Sequence, residues 1–143
     1  MRTVRQLLAA KPQGVWHVSP RHSVLEALQM MSEKGVGALV VMNGDILAGI
    51  VSERDYARKV ALRGKSSIET SVADIMNDDV VYVTPDHTTD DCMALMTEQR
   101  IRHLPVLDHC EVVGILSIGD LVKTLLDEQN DALAKPEQRI RGN

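Results

Sequence analysis

Gly49-Ile-Val-Ser-Glu-Arg-Asp55 and Gly114-Ile-Leu-Ser-Ile-Gly-Asp120 spell one phrase, Gly-Ile-x-Ser-x-x-Asp, 65 positions apart. Each closes an apolar run. A phrase repeated at a fixed offset points to an internal repeat. With that offset, Val15–Lys59 lies on Val80–Thr124 without a gap. The identical positions include Val15/Val80, Val18/Val83, Pro20/Pro85, His22/His87, Met31/Met96, Glu33/Glu98, Val41/Val106, Gly49/Gly114, Ile50/Ile115, Ser52/Ser117 and Asp55/Asp120. Upstream, Val4, Leu7 and Leu8 fall on Val72, Ile75 and Met76 if the first copy carries three extra residues.

Both copies predict the same order of elements. A short apolar helix comes first, Val4–Ala10 in one copy and Val72–Met76 in the other. An extended piece then ends at proline, Val15–Ser19 and Val80–Thr84. Ser23-Val-Leu-Glu26 and Thr88-Thr-Asp-Asp91 are capping-box signals, opening helices that run to Lys34 and Gln99. Ala27, Leu28 and Met31 share a face of the first helix, and Cys92, Met93 and Met96 share the same face of the second. Ala38–Met42, the turn Asn43-Gly44-Asp45 and Ile46–Val51 read as a β-hairpin. Leu104–Leu107, Asp-His-Cys-Glu and Val112–Leu116 repeat it. Terminal helices follow at Glu53–Leu62 and Ile118–Leu126. The fold class is therefore α/β (α+β), with two pseudo-symmetric β-α-β-β-α repeats packed sheet to sheet. The first spans residues 1–65 and the second 66–127. Arg63–Ser67 forms a polar hinge, and 128–143 a polar tail, frayed from Asn130 onward. One half of ~60 residues is marginal alone, so the two copies are expected to share their burial.

Composition narrows the class. Apolar residues make up 44% of the 143, with no Phe, one Trp and two Tyr, so the core is aliphatic with methionine as filler. No apolar run approaches the ~18 residues of a membrane span, and the N-terminus lacks the apolar stretch of a signal peptide. Cys92 and Cys110 form no C-x-x-C, which suggests buried thiols in a cytoplasmic protein. Net charge is −4, but residues 1–65 carry ten Lys and Arg against five Asp and Glu, and residues 66–143 carry six against fifteen. The first half thus offers a positive field to an anion. Overall acidity and the lack of an aromatic-rich basic stripe argue against nucleic acid.

The Ser-x-x-Asp pairs admit two readings. Ser at a strand end with Asp three residues on is a helix cap, in which Ser accepts from backbone N–H groups and Asp favours the helix's positive end. The same geometry can hold a ligand. A helix N-terminus presents N–H groups to an anion, and an ionised Asp, acceptor-only, suits paired hydroxyls.

The repeat resembles a cystathionine-β-synthase (CBS) domain, and the tandem resembles a Bateman module of the stand-alone bacterial type. The residues that carry the likeness are Val18-Ser-Pro20, Gly35-Val-Gly-Ala-Leu-Val-Val41 and Gly49–Asp55, then Val83-Thr-Pro85, Arg100-Ile-Arg-His-Leu-Pro-Val106 and Gly114–Asp120. They extend over residues 1 to about 126. The resemblance implies an adenosine ligand in clefts between the copies: AMP, ADP, ATP or NAD, with S-adenosylmethionine behind them. Asp55 and Asp120 would take the ribose, with Ser52 and Ser117 beside phosphate. Arg54 suits a phosphate in fork geometry. Arg102 and His103, which replace Gly37 and Ala38, would reach phosphate in the second site. Trp16, His17, Ser19 and Pro20, with Val81, Tyr82 and Thr84, would line the base, joined by Ala38 and Pro105. Trp16 is equally a core or dimer anchor. His22 and His87 read as exposed turn residues. The two sites are expected to differ.

The resemblance further implies a regulatory homodimer that pairs through the apolar faces of Glu53–Leu62 and Leu121–Leu126, with another protein reading its state. No H-E-x-x-H, G-x-S-x-G or P-loop is present, so no catalytic residue and no metal ligand is assigned. The competing expectation is a ligand-free dimerisation scaffold in which Ser-x-x-Asp serves only as a cap.

Overall fold

The computed structural model describes residues 2–11 and 14–133. In chain order the elements are α1 (Val4–Ala10), β1 (His17–Val18), α2 (Val24–Lys34), β2 (Ala38–Asn43), β3 (Ile46–Ser52), α3 (Glu53–Tyr56), α4 (Val72–Ile75), α5 (Thr89–Gln99), β4 (His103–Asp108), β5 (Glu111–Ser117) and α6 (Ile118–Leu133). Past α3 the chain continues as a π-helical stretch, Ala57–Ala61. The fold is of mixed α and β type, as the repeat implies. Contacts divide the chain into two compact units: Gly14–Val81, and the described residues of Met1–Gln13 with Tyr82–Asn143.

The packed units do not coincide with the sequence repeats. In the unit Gly14–Val81, α4 docks on the turn that follows β1. The N–H groups of Val72 and Ala73 donate to the carbonyls of His22 (2.8 Å) and Pro20 (3.0 Å), and Val24 N–H donates to Thr70. In the other unit α1 does the same. Val4 and Arg5 donate to the carbonyls of His87 (2.8 Å) and Pro85 (2.9 Å), and Thr89 donates to Arg2. Each short helix thus satisfies its orphan N–H groups on the turn of the other repeat, and Val4 and Val72 are fully buried there. The acceptors are the backbone carbonyls of the matched Pro20/Pro85 and His22/His87. The His rings have a second task. Nδ1 of His22 accepts from Ser19 N–H at 2.8 Å, and Nδ1 of His87 accepts from Thr84 N–H at 2.9 Å. His22 is exposed as expected, whereas His87 is half-buried.

In the unit Gly14–Val81 the strands order as β1-β2-β3, with β1 parallel to β2 and β2 antiparallel to β3. In the other unit β4 and β5 form an antiparallel pair. Both hairpins carry a bulge at one place. Val41 faces Gly49 and Met42 faces Leu47, and likewise Val106 faces Gly114 and Leu107 faces Val112, so Ala48 and Val113 are the extra residues. Val18, Val24, Ala27, Met31, Leu39, Val41, Val51, Val60, Val72 and Ile75 form the core of Gly14–Val81. In the other unit Val4, Leu7, Val83, Cys92, Met96, Leu104, Val106, Leu116 and Leu121 are buried. Both cores are aliphatic with methionine.

The repeated glycine is steric. A Cβ on Gly49 would lie 2.8 Å from the Asn77 carbonyl oxygen and 2.9 Å from Met76 Sδ, and one on Gly114 would lie 2.5 Å from Leu8 Cδ2. At Gly49 the chain leaving α4 crosses the last strand of the hairpin, and at Gly114 the side chain of Leu8, within α1, lies over it. In one unit Ile50 and Asn77 also exchange both backbone hydrogen bonds, at 3.0 and 2.9 Å.

Several expectations need correction. The first extended piece is a strand only at His17–Val18, and the second contributes one parallel bridge, Val83 to Val106. Arg63–Ser67, expected between the copies, lies inside the packed unit Gly14–Val81, where the Ser67 carbonyl accepts from Leu25 N–H and the Ser66 hydroxyl from Ile68 and Glu69 N–H. Helix α6 runs to Leu133, past the end expected at Leu126 and through Asn130. Residues 134–143 of the expected tail lie outside the described residues. Cys92 is buried but Cys110 is exposed. It sits with His109 in a two-residue turn where both have positive φ, 51° and 68°, the pairing of a type I′ hairpin.

Candidate ligand-binding sites

Both Ser-x-x-Asp pairs are helix caps. At the start of α3, Ser52 N–H donates to Asp55 Oδ2 (2.9 Å), Asp55 N–H donates to Ser52 Oγ (3.3 Å), and Ser52 Oγ–H points at Asp55 Oδ2 (3.0 Å). At the start of α6, Ser117 N–H donates to Asp120 Oδ2 (2.8 Å) and Asp120 N–H to Ser117 Oγ (3.1 Å). The first N–H of each helix is met by the residue before the hairpin. Glu53 donates to the Gly37 carbonyl at 3.0 Å, and Ile118 to that of Arg102 at 2.8 Å. The hairpin therefore sets where each carboxylate stands. Ala38 pairs with Ser52 in register, and His103 with Ser117.

Each Asp also meets an ammonium, that of Lys59 at the i, i+4 spacing of a helix and that of Lys11 from far along the chain. Lys59 Nζ lies 3.6 Å from Asp55 Oδ1 and donates to the Ile75 carbonyl at 2.9 Å. Lys11 Nζ donates to Asp120 Oδ2 at 2.9 Å and to the Ile115 carbonyl at 2.8 Å. The two lysines occupy unrelated positions. Position 124, the counterpart of Lys59, is Thr, and the counterpart of Lys11 is Asp79. Lys11 and Asp120 are 109 residues apart, so only the fold brings them together.

The charges at Asp120 act on one another. Burial pushes its carboxyl up, but the Ser117 N–H and the Lys11 ammonium outweigh it and hold Asp120 below the ordinary carboxylate range. Burial lowers His103; Asp120 opposes this, while Lys11 and Arg102 add to it, so the ring sits below its usual value.

The remaining expected residues are spread more widely. Arg54 and Arg102 are exposed and His103 is half-buried. Trp16 packs against the core of its unit, with Lys34 Nζ 4.3 Å from the ring centroid, a cation–π geometry. His17 and Tyr82 are exposed, Ser19, Pro20, Val81 and Thr84 are half-buried, and Ala38 and Pro105 are buried. The N–H groups of Ser19 and Thr84 are already held by His22 and His87. The Pro105 carbonyl accepts from Val83 N–H at 3.1 Å. Val81 ends one unit and Tyr82 opens the next stretch of the other. Among the described residues no group of three or more His, Cys, Asp and Glu is placed to hold a metal, and no helix is long and apolar enough to cross a membrane.

Two hairpins, each feeding a helix capped by Ser-x-x-Asp, match the family model for the CBS domain at residues 11–62 and 72–127. The chain belongs to the CBS domain family. A CBS domain-containing protein of Arabidopsis thaliana, CBSX3, described as mitochondrial, is 40% identical over 125 residues, covering 84% of this chain. The match spans 61% of that relative's own length. Among solved structures, the CBS domain NE2398 is 48% identical, with a TM-score of 0.84, and the match covers 87% of this chain and 98% of that one. The CBS domain pair of protein MJ0100, in complex with 5′-methylthioadenosine and S-adenosyl-L-methionine, shares the fold at 23% identity and a TM-score of 0.78, covering 90% and 98%.

Proposed function

We propose that this CBS pair is a non-catalytic regulatory module of the cytoplasm that binds an adenine nucleotide, AMP, ADP, ATP or NAD, and signals through a homodimer to a partner protein. The observation that carries this reading is the matched pair Asp55 and Asp120. Each is half-buried and fixed at a helix start by its own Ser, at equivalent places in the two repeats. A carboxylate locked in this way is a ready acceptor for the paired hydroxyls of a ribose. Ser52 and Arg54 at one site, and Ser117, Arg102 and His103 at the other, face the phosphates. Trp16, His17, Ser19, Pro20 and Ala38, and Val81, Tyr82, Thr84 and Pro105, line the base. The family and the adenosine ligands of the MJ0100 pair support this class of ligand. A ligand shifts the signalling state only if it binds the two states unequally.

Apolar residues left exposed favour a second copy as neighbour. Ile118, Val122 and Leu126 recur every four residues along α6, and Leu62 ends the helical run after α3. Light scattering that finds only a monomer at working concentration would overturn the dimer.

The second reading is a ligand-free scaffold, and the completed capping boxes favour it. Titration calorimetry of nucleotide-stripped protein with AMP, ATP, NAD and S-adenosylmethionine separates the two. The expected result is saturable binding that Asp55→Ala and Asp120→Ala each reduce at one site. Silence from all four in folded protein, or binding that survives both substitutions, would sink the ribose assignment.

A further inference from the structure

The two sites differ most in how the ribose carboxylate is compensated. Around Asp120 the ammonium of Lys11 makes two short bonds, 2.9 Å to the carboxylate and 2.8 Å to the Ile115 carbonyl. Both partners are well shielded, with 22% and 27% of the side-chain surface exposed. Around Asp55 the nearest ammonium, Lys59, is at 3.6 Å and is 39% exposed. Arg102 stands at the same helix start as Asp120, with its carbonyl bonded to Ile118 N–H. Gly37 holds that place in the other unit.

Building on the nucleotide reading above, we infer that Lys11 is a specificity residue of the second site, which selects phosphorylated over neutral adenosine ligands. An uncompensated Asp120 would repel phosphate groups brought to the same helix start. Lys11 cancels that charge at close range, where screening is weak, and leaves the Arg102 cation to act on the phosphate. A neutral nucleoside gains nothing from this arrangement. It must also share Asp120 with an ammonium that already holds one carboxylate oxygen. A nucleotide offers the ammonium an anionic partner in return. His103 lies within the influence of Asp120, Lys11 and Arg102 alike, which places all four groups in one electrostatic cluster.

The test is calorimetry with AMP and with adenosine in an Asp55→Ala background, so that only the second site is read. Lys11→Met is expected to lower the AMP-to-adenosine affinity ratio by about tenfold, and Lys11→Arg to restore most of it. Lys59→Met, read at the first site in an Asp120→Ala background, should shift the corresponding ratio far less. Circular dichroism checks that each variant is folded; if Lys11→Met is not, Lys11→Gln takes its place. If both ligands bind and the ratio is the same with and without Lys11, this inference falls and the nucleotide reading stands. If neither ligand binds the second site in any of these proteins, the nucleotide reading of that site falls and takes the inference with it.

Discussion

Gly49 and Asn77 are locked face to face: a side chain on Gly49 would come within 2.8 Å of the Asn77 carbonyl oxygen. That carbonyl accepts from Ile50 N–H at 3.0 Å, so it cannot move aside without breaking the bridge between β3 and the chain leaving α4. At Gly114 the obstacle is the tip of the Leu8 side chain, which can change rotamer. Gly49→Ala should therefore cost about 1–3 kcal/mol, and Gly114→Ala distinctly less. Urea unfolding of the two variants checks the order, and equal losses would show that backbone crowding is not what the glycine relieves.

The caps at the ligand sites separate stability from binding. Ser52→Ala should cost roughly 0.5–2 kcal/mol and also weaken nucleotide binding, because it removes both hydroxyl bonds to Asp55 and leaves only the Ser52 backbone N–H to hold the carboxylate. Ser23→Ala removes a capping box at the start of α2. It should lower the thermal midpoint while leaving affinity unchanged. A loss of affinity as large as that of Ser52→Ala would mean that binding follows general stability.

Acid should unfold the unit that contains Asp120 in a Lys11-dependent way. The Asp120 carboxyl is lower in the folded chain than in the unfolded one, where it titrates near ~3.9. It therefore adds stability above that pH and loses it as pH falls through that value towards the folded one. Lys11→Met removes one of the groups that lower it, so the acid midpoint should move to higher pH. Nuclear magnetic resonance titration of the Asp120 carboxyl should show the same upward shift. An Asp120 that titrates identically in both proteins would contradict the ion pair.

The two thiols should react at different rates. Burial, with help from Asp91, pushes the Cys92 thiol up to about 11, so little thiolate is present near neutral pH. Cys110 is exposed in the hairpin turn. A thiol reagent at neutral pH should label native protein once, and Cys110→Ser should abolish that fast labelling. Rapid modification of Cys92 would show that its core opens readily.

Much of this fold could be read from local pattern. Helices α2 and α5 end where their caps and periodicity place them, at Lys34 and Gln99. Both hairpins appear within a residue or so of their expected ends, because turn chemistry and β-branched runs act over a few residues. The Ser-x-x-Asp phrase was legible as a cap for the same reason: its bonds span three residues. The periodicity of Ile118–Leu126 did not reveal that α6 continues through the polar residues to Leu133. Polar residues are compatible with an exposed helix and give no stop signal.

What local pattern could not supply was the exchange of short helices. The 65-residue offset shows that two copies exist, but not that α1 bonds to Pro85 and His87 while α4 bonds to Pro20 and His22. Either pairing leaves the same residues apolar and the same N–H groups in need of acceptors. The lysine at Asp120 was hidden for a related reason, whereas Lys59 stands only four residues after Asp55. Lys11 reaches Asp120 across 109 residues, and a charge pair at that separation leaves no periodicity in the chain. By itself, then, the sequence determined the repeat, its elements and the two carboxylates, all of which rest on short-range bonds and burial. Only the tertiary structure decided which helix closes which unit and which cation stands at Asp120, because those partners meet only after the chain has packed.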